Sequence, residues 1–343
     1  MQASACRTGW ETRLCGTDDD NSSILPTFVY VLTRLDFIVQ VCCIVSISHC
    51  YIEHYTLTIT VIIPHYRTVD CCAGTPVSPT QVGEFVRGAL QYGDSVALAV
   101  GMSTPPDNDN TSSDPVSSPE YSLVHSVTQA AQAAEEEWAF SHREAKALGG
   151  SARRVTIIPV TPWGNFTPAL NALLSFAARD GAELVLFQSL ETAVSKDAVL
   201  EMETLMGPKY LVVGGALTGH AFQEGETVQL TGVTTPWNTL ALWDVPKLSK
   251  LGFIGVAEGL VNGVAAGVEE VSVIATLQAL LGPENCKARL VRLPQVKWQA
   301  EWEDEGRRRW HESKMASKVD RAEAQMRALG ITRGLVEHVA VSR

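Results

Sequence analysis

The chain has 343 residues, 45% of them hydrophobic and 19% charged, the balance of a globular protein with enough apolar side chains for a sizeable core. Its formal net charge of −11 gives it no general attraction to nucleic acid or to an anionic membrane surface. Seven of its eight cysteines lie at or before Cys72, with Cys42-Cys43 and Cys71-Cys72 adjacent. That distribution suits neither a disulfide framework nor a structural zinc site, so the main body reads as a reduced, cytoplasmic protein.

The first twenty-one residues are polar and acidic, without the apolar core of a secretory signal. Ile24 to Tyr55 is apolar, but its longest uncharged run, Phe37 to Ser48, is shorter than the roughly 20 residues that span a bilayer. A wider window takes in Arg34, Asp36 or Glu53. Residues 1–55 therefore read as a buried or loosely ordered N-terminal extension, and any membrane association would act through that segment.

Thr56 to Ile63 is β-branched, nearly continuous and closed by Pro64, as expected of a buried strand. Gln81 to Gln91 carries apolar residues at helical spacing, and Ser95 to Val100 is a second strand running into a polar loop with Asp107 and Asp109. Tyr121 to Leu148 is a long helix rich in alanine and glutamate, stopped by Gly149-Gly150. The strand signature returns at Arg153 to Val160, Glu183 to Leu190 and Tyr210 to Leu217, with helices predicted at Pro168 to Ala178 and Lys196 to Met206. The alternation predicts an α/β fold, a mostly parallel sheet covered on both faces, with loops and chemistry at the edge beyond Ile63, Val100, Leu190 and Leu217. Glu301 to Leu329 reads as amphipathic helix.

Four segments, in order, resemble the family 2-type glycosyltransferases of the GT-A fold. Val61 to Arg67 (VIIPHYR) looks like that family's first strand with its proline turn. Ala169 to Glu191 looks like its central unit, an Asn-bearing helix leading into the strand that ends in an Asp-x-Asp metal motif. Gly232 to Phe253 resembles its acceptor-side segment, and Gly267 to Gln278 (GVEEVSVIATLQ) the acidic pair that opens a helix and holds the catalytic base. The resemblance implies a three-layer GT-A-like domain over 56–300, followed by a C-terminal helical extension over 301–343. It implies transfer of a sugar from a nucleoside diphosphate sugar to a hydroxyl acceptor, with inversion and with a manganese or magnesium ion. Carried over by position, Glu270 or Glu269 is the base, with Glu270 as the family's second acid, and Glu191 is the metal ligand. Pro64, Tyr66, Arg67, Asn171, Ser189, Trp237 and Asn238 are substrate contacts.

The sequence departs from the family where Asp-x-Asp should stand, since Ser189-Leu190-Glu191 offers one carboxylate and one neutral oxygen to a hard cation. That substitution supports an alternative, a glycosyltransferase-like protein that binds or scaffolds without catalysis. The Glu269-Glu270 pair also suits simple capping of a helix. Gly214, Gly215 and Gly219 lack the spacing of a dinucleotide or P-loop fingerprint; they suit close backbone approach at a strand end, and His220 a structural role. The missing fingerprint argues against a dinucleotide oxidoreductase, and the absence of GxSxG and HExxH against two hydrolase classes.

Overall fold

The structure is a computed structural model that describes residues 57–63, 78–101, 119–143, 153–160, 166–294, 296–298 and 305–341. The expectations for residues 1–55, for Pro64, Tyr66 and Arg67, and for Asp107 and Asp109 lie outside them.

The chain is mixed α/β. Its strands are β1 (Leu57–Ile63), β2 (Ser95–Gly101), β3 (Arg154–Val160), β4 (Leu184–Gln188), β5 (Thr192–Val194), β6 (Tyr210–Gly215), β7 (Thr227–Gln229), β8 (Leu240–Asp244), β9 (Lys287–Arg292), β10 (Val296–Trp298) and β11 (Leu335–Ala340). Its helices are α1 (Pro79–Ala89), α2 (Pro119–Ser141), α3 (Thr167–Arg179), α4 (Lys196–Thr204), α5 (Val245–Leu248), α6 (Glu269–Leu281), α7 (Glu305–Ala316) and α8 (Lys318–Leu329), with a 3-10 turn at Gly255–Glu258. Local sequence explains the helix starts: Ser78 accepts from the Thr80 amide ahead of Pro79, and Ser195 from the Ala198 amide. Among the described residues no helix is long and apolar enough to cross a membrane.

Among the described residues nine strands form one sheet in the order β3-β2-β1-β4-β8-β6-β9-β11-β7, and β5 pairs with β10 in a separate ladder. β2 and β4 are buried along their whole length, the mark of strands covered on both faces. β1, β2, β3 and β4 are mutually parallel, so their C-terminal ends share one edge as expected. The sheet is less parallel than the alternation predicts. β8 runs antiparallel to both β4 and β6, and β7 antiparallel to β11. The cause is the segment after β6, which returns along the sheet edge and enters between two parallel strands. Leu240 pairs with Gln188, so the start of β8 lies at the C-terminal end of β4.

Residues 301–343, expected as helices, also contribute β11, which pairs in parallel with β9. Its pattern Leu335-Val336-Glu337-His338 alternates burial, as strand geometry requires. The core runs through the middle strands. Trp243 is fully buried and, with Phe187, meets the Phe253 ring edge-on at 5.5 Å.

Candidate functional site

In an open α/β sheet, ligands bind beyond the carboxyl ends of strands where the strand order reverses. Here that reversal lies between β1 and β4. The residues after β1 lie outside the described part; those after β4 are Ser189, Leu190 and Glu191. They make a tight turn in which the Thr192 amide donates to the Ser189 carbonyl at 3.0 Å and the Ser189 and Thr192 hydroxyls lie 2.9 Å apart. The Ser189 amide donates to the Thr239 carbonyl at 3.0 Å, which ties the end of β4 to the start of β8.

Asn238 is the next link. Its backbone amide donates to Glu270 Oε1 at 2.6 Å, its side-chain amide reaches Glu269 Oε1 at 3.4 Å, and its Oδ1 accepts from Trp243 Nε1 at 3.0 Å. Asn238, Glu269 and Glu270 thus come together, and Ser189 bonds Thr239, the residue next to Asn238.

Glu269 and Glu270 occupy the first turn of α6, where the helix dipole favours acids. No side chain caps this helix. Val268 precedes it with φ of 52°, a left-handed conformation unusual for a β-branched residue, and Gly267 stands at 100°. Such strain persists only where surroundings hold it. Here α8 does so: Arg321 donates to the Ala266 carbonyl at 2.8 Å and Gln325 to the Gly267 carbonyl at 2.6 Å.

The two acids differ in exposure. Glu270 is 5% exposed, and burial, followed by repulsion from Glu269, raises its pKa, while Lys318 opposes the rise. Glu269 is half-buried. Around them stand three cations from α7 and α8. Burial lowers the pKa of Lys314, Lys318 and Arg321, and Glu269 and Glu270 oppose the fall in each. Glu191 acts on Lys314 in the same sense, so the strand-end carboxylate and this ammonium lie within electrostatic reach of each other. These cations were not expected. A charged stretch reads as a solvated surface; the available signal was the spacing of Lys314, Lys318 and Arg321, which repeats at one helical face.

Trp237, expected as a stacking platform for sugar, is 2% exposed. The His220 ring stacks on it at 3.6 Å between centroids, and the Lys318 ammonium lies 3.2 Å from the indole centroid. Groups so close cannot share a face, so both faces of the indole are taken. Its Nε1 donates to the Gly232 carbonyl at 2.9 Å. In this arrangement Trp237 packs and holds a cation rather than presenting a ring. His220 has the structural role expected: Nδ1 accepts from the Leu217 amide at 2.8 Å, so the neutral ring carries its proton on Nε2 toward the Thr235 carbonyl at 2.9 Å. Burial lowers its pKa to about 3. Asn171 spends both ends of its amide on Phe253, accepting from its backbone amide at 2.6 Å and donating to its carbonyl at 2.7 Å. It joins α3 to the loop after α5.

Glycines permit the close packing here. A Cβ on Gly214 would come within 2.5 Å of Pro236, and one on Gly219 within 2.5 Å of Met315 on α7. One on Gly232 would overlap the Lys318 carbonyl.

Among the described residues no three His, Cys, Asp or Glu side chains gather. The Ser189 hydroxyl is engaged by Thr192, and the Glu191 carboxylate shares its surroundings with a lysine that repels a metal ion.

Compared with known proteins, the chain matches no protein-family profile and no curated protein.

Proposed function

We propose that the chain is glycosyltransferase-like and moves a sugar from a nucleoside diphosphate donor to a hydroxyl acceptor, with inversion. The observation that carries this reading is the hydrogen-bonded path from Ser189 through Thr239 and Asn238 to Glu269 and Glu270, which joins the strand-reversal edge to an acidic pair. The strand order and the parallel β3-β2-β1-β4 half are consistent with a GT-A-like domain. In this reading a carboxylate takes the proton of the acceptor hydroxyl. The oxygen attacks the anomeric carbon from the face opposite the donor phosphate, and the bond to the diphosphate breaks with its electron pair on the leaving group. Family position favours Glu270 as base. Exposure favours Glu269, because Glu270 is buried with one oxygen on the Asn238 amide. We assign the base to Glu269 and the holding of Asn238 to Glu270.

A second reading, a binding or scaffold protein without turnover, is favoured by the tied Ser189 hydroxyl and the covered faces of Trp237. The test is release of nucleoside diphosphate from a panel of UDP- and GDP-sugars with hydroxyl acceptors. Glu269→Gln should lower turnover by about 10² to 10⁴-fold with melting preserved. Loss of turnover in Glu270→Gln alone would return the base to the second acid. A donor that raises the melting temperature yet is never consumed would establish the second reading.

A further inference from the structure

We propose that Arg321 and Gln325 on α8 are positioning residues for the acid pair, fixing the strained turn from which Glu269 and Glu270 project. The inference rests on the reading of Glu269 as base and adds to it the groups that aim that base.

Three observations carry it. First, α6 starts from a conformation that its own sequence disfavours. Val268, the N-cap residue, stands at φ of 52° and gives the first turn no side-chain hydrogen bond. Left alone, a valine there would relax out of the left-handed region and swing the first turn with it. Second, the hold comes from α8 and acts on the backbone just before the acids. Arg321 Nη1 donates to the Ala266 carbonyl at 2.8 Å and Gln325 Nε2 to the Gly267 carbonyl at 2.6 Å. The Gly267 amide donates in turn to the Ala257 carbonyl at 2.8 Å, so both of its peptide groups are fixed. A Cβ on Gly267 would overlap the Arg321 guanidinium, so the clamp closes only on a glycine. Third, the far part of the same helix is tied to the strand that follows α8. Gln278 accepts from the Leu335 amide at 2.8 Å and donates to the Leu335 carbonyl at 2.9 Å. One continuous stretch of chain, from α8 to β11, therefore grips α6 before its first residue and again toward its last turn.

The effect of that grip is readable at Asn238. Its backbone amide donates to Glu270 Oε1 at 2.6 Å and its side-chain amide to Glu269 Oε1 at 3.4 Å, so one residue registers where both carboxylates stand. A general base must lie within hydrogen-bond reach of the proton it takes. A displacement of about 1 Å in this turn is therefore felt in the chemical step before it is felt in substrate binding.

The experiment uses the full chain. Gln325→Met keeps the length of this buried side chain and removes its donor. It also removes Oε1, which has no hydrogen-bond partner among the described residues, so part of the stability lost with the donor returns. Two quantities are measured, hydrogen exchange at the Asn238 amide by NMR and steady-state turnover of the sugar donor. Exchange at Asn238 should quicken by about tenfold while amides of β4 and β6 keep parental protection. Turnover should show kcat lowered by about 10- to 100-fold with KM changed less than about twofold. Arg321→Met should act in the same direction, and Arg321→Lys, which keeps a donor, should recover most of the loss. Parental exchange at Asn238 in folded Gln325→Met, or parental kcat beside quickened exchange, overturns the inference. Protection lost evenly through the sheet also overturns it, because the residue then acts on stability alone. A parent protein that consumes no donor removes the base reading by itself, and exchange at Asn238 then decides whether α8 fixes the acids. If Gln325→Met does not fold, the same measurements on Arg321→Met and Arg321→Lys decide the matter.

Discussion

Alanine at Gly232 tests how tightly α8 is seated over the candidate site. Gly232 is buried, and its backbone lies outside the positive-φ set, so alanine brings no intrinsic backbone strain. Its Cβ would overlap the Lys318 carbonyl oxygen, with the carbonyl carbon at 2.6 Å and the Lys318 Cβ at 2.9 Å. No rotamer relieves a clash with backbone, so the start of α8 must move by roughly 1 Å to regain ordinary contact. That shift pulls on the Arg321 bond to Ala266 and the Gln325 bond to Gly267. Overpacking alone costs about 1–3 kcal/mol, and weakening a charged and a neutral hydrogen bond adds about 1 kcal/mol. The expected loss is about 2–4 kcal/mol, or roughly 4–16 °C in melting temperature at about 2–4 °C per kcal/mol. Urea denaturation and thermal melting measure it, with the exchange measurement above repeated on the variant. The Lys318 ammonium would also leave the Trp237 face. A Gly232→Ala protein that melts within about 1 °C of the parent would refute the seating of α8 described here.

Gly88→Ala should act in the opposite direction. A Cβ there meets nothing within 4 Å in the last turn of α1, so stability should rise by about 0.5–1 kcal/mol in the same melts. His220 stays neutral in the folded protein down to about pH 3, whereas the unfolded chain takes up its proton below about 6.5. Between those values the unfolded state binds more protons, so stability falls as pH drops below 6.5, by about 2 kcal/mol at pH 5 from this residue. His220→Gln should flatten that slope in urea midpoints measured from pH 7 to 5. Glu337, held down to about 2 by hydrogen bonds from Lys287, Tyr210 and Arg289 that outweigh its desolvation, contributes stability above about pH 4.5 that is lost as pH falls toward 2. Glu337→Gln should therefore cost stability at pH 7 and little at pH 2. Glu258→Ala removes a buried carboxylate that accepts from the Thr167 amide at 2.8 Å and its hydroxyl at 2.6 Å, and should cost about 1–3 kcal/mol by chemical denaturation.

The parallel half of the sheet was legible because its strands are long β-branched or apolar runs closed by prolines and glycines, as in Arg153 to Val160. β4 ends two residues earlier than its apolar run, because Ser189, after a last bond to Thr239 opposite it on the β8 side, opens the turn in which the Thr192 amide donates to its carbonyl. β8 was illegible as a strand. Leu240 to Asp244 is five residues long, and nothing in so short a run says which neighbours it enters between or in which direction. β11 was hidden by the charged helices before it, which suggested that the helical stretch continued. At the site, position in ordered segments singled out Asn238, Glu269 and Glu270, whose polar groups hydrogen-bond one another, and Ser189, which bonds the neighbouring Thr239. Trp237 shows the limit of composition: an indole beside an asparagine suits a sugar platform, and only tertiary contacts reveal that both faces are used. Lys314, Lys318 and Arg321 arrive from a segment whose pattern spoke of an amphipathic helix with an apolar packing face and gave its charged residues no role.

β11 gives the sheet an awkward timetable. It is the last of the described strands to leave the ribosome, yet it belongs inside the sheet, between β9 and β7. β7 emerges earlier and then waits for its partner through the synthesis of β8, β9 and both helices α7 and α8. During that interval the outer side of β9 presents unsatisfied amides and carbonyls, an invitation to pair with another nascent chain. Translation that stalls or terminates before residue 335 would leave that invitation open, along with a candidate site already furnished with its acids and cations.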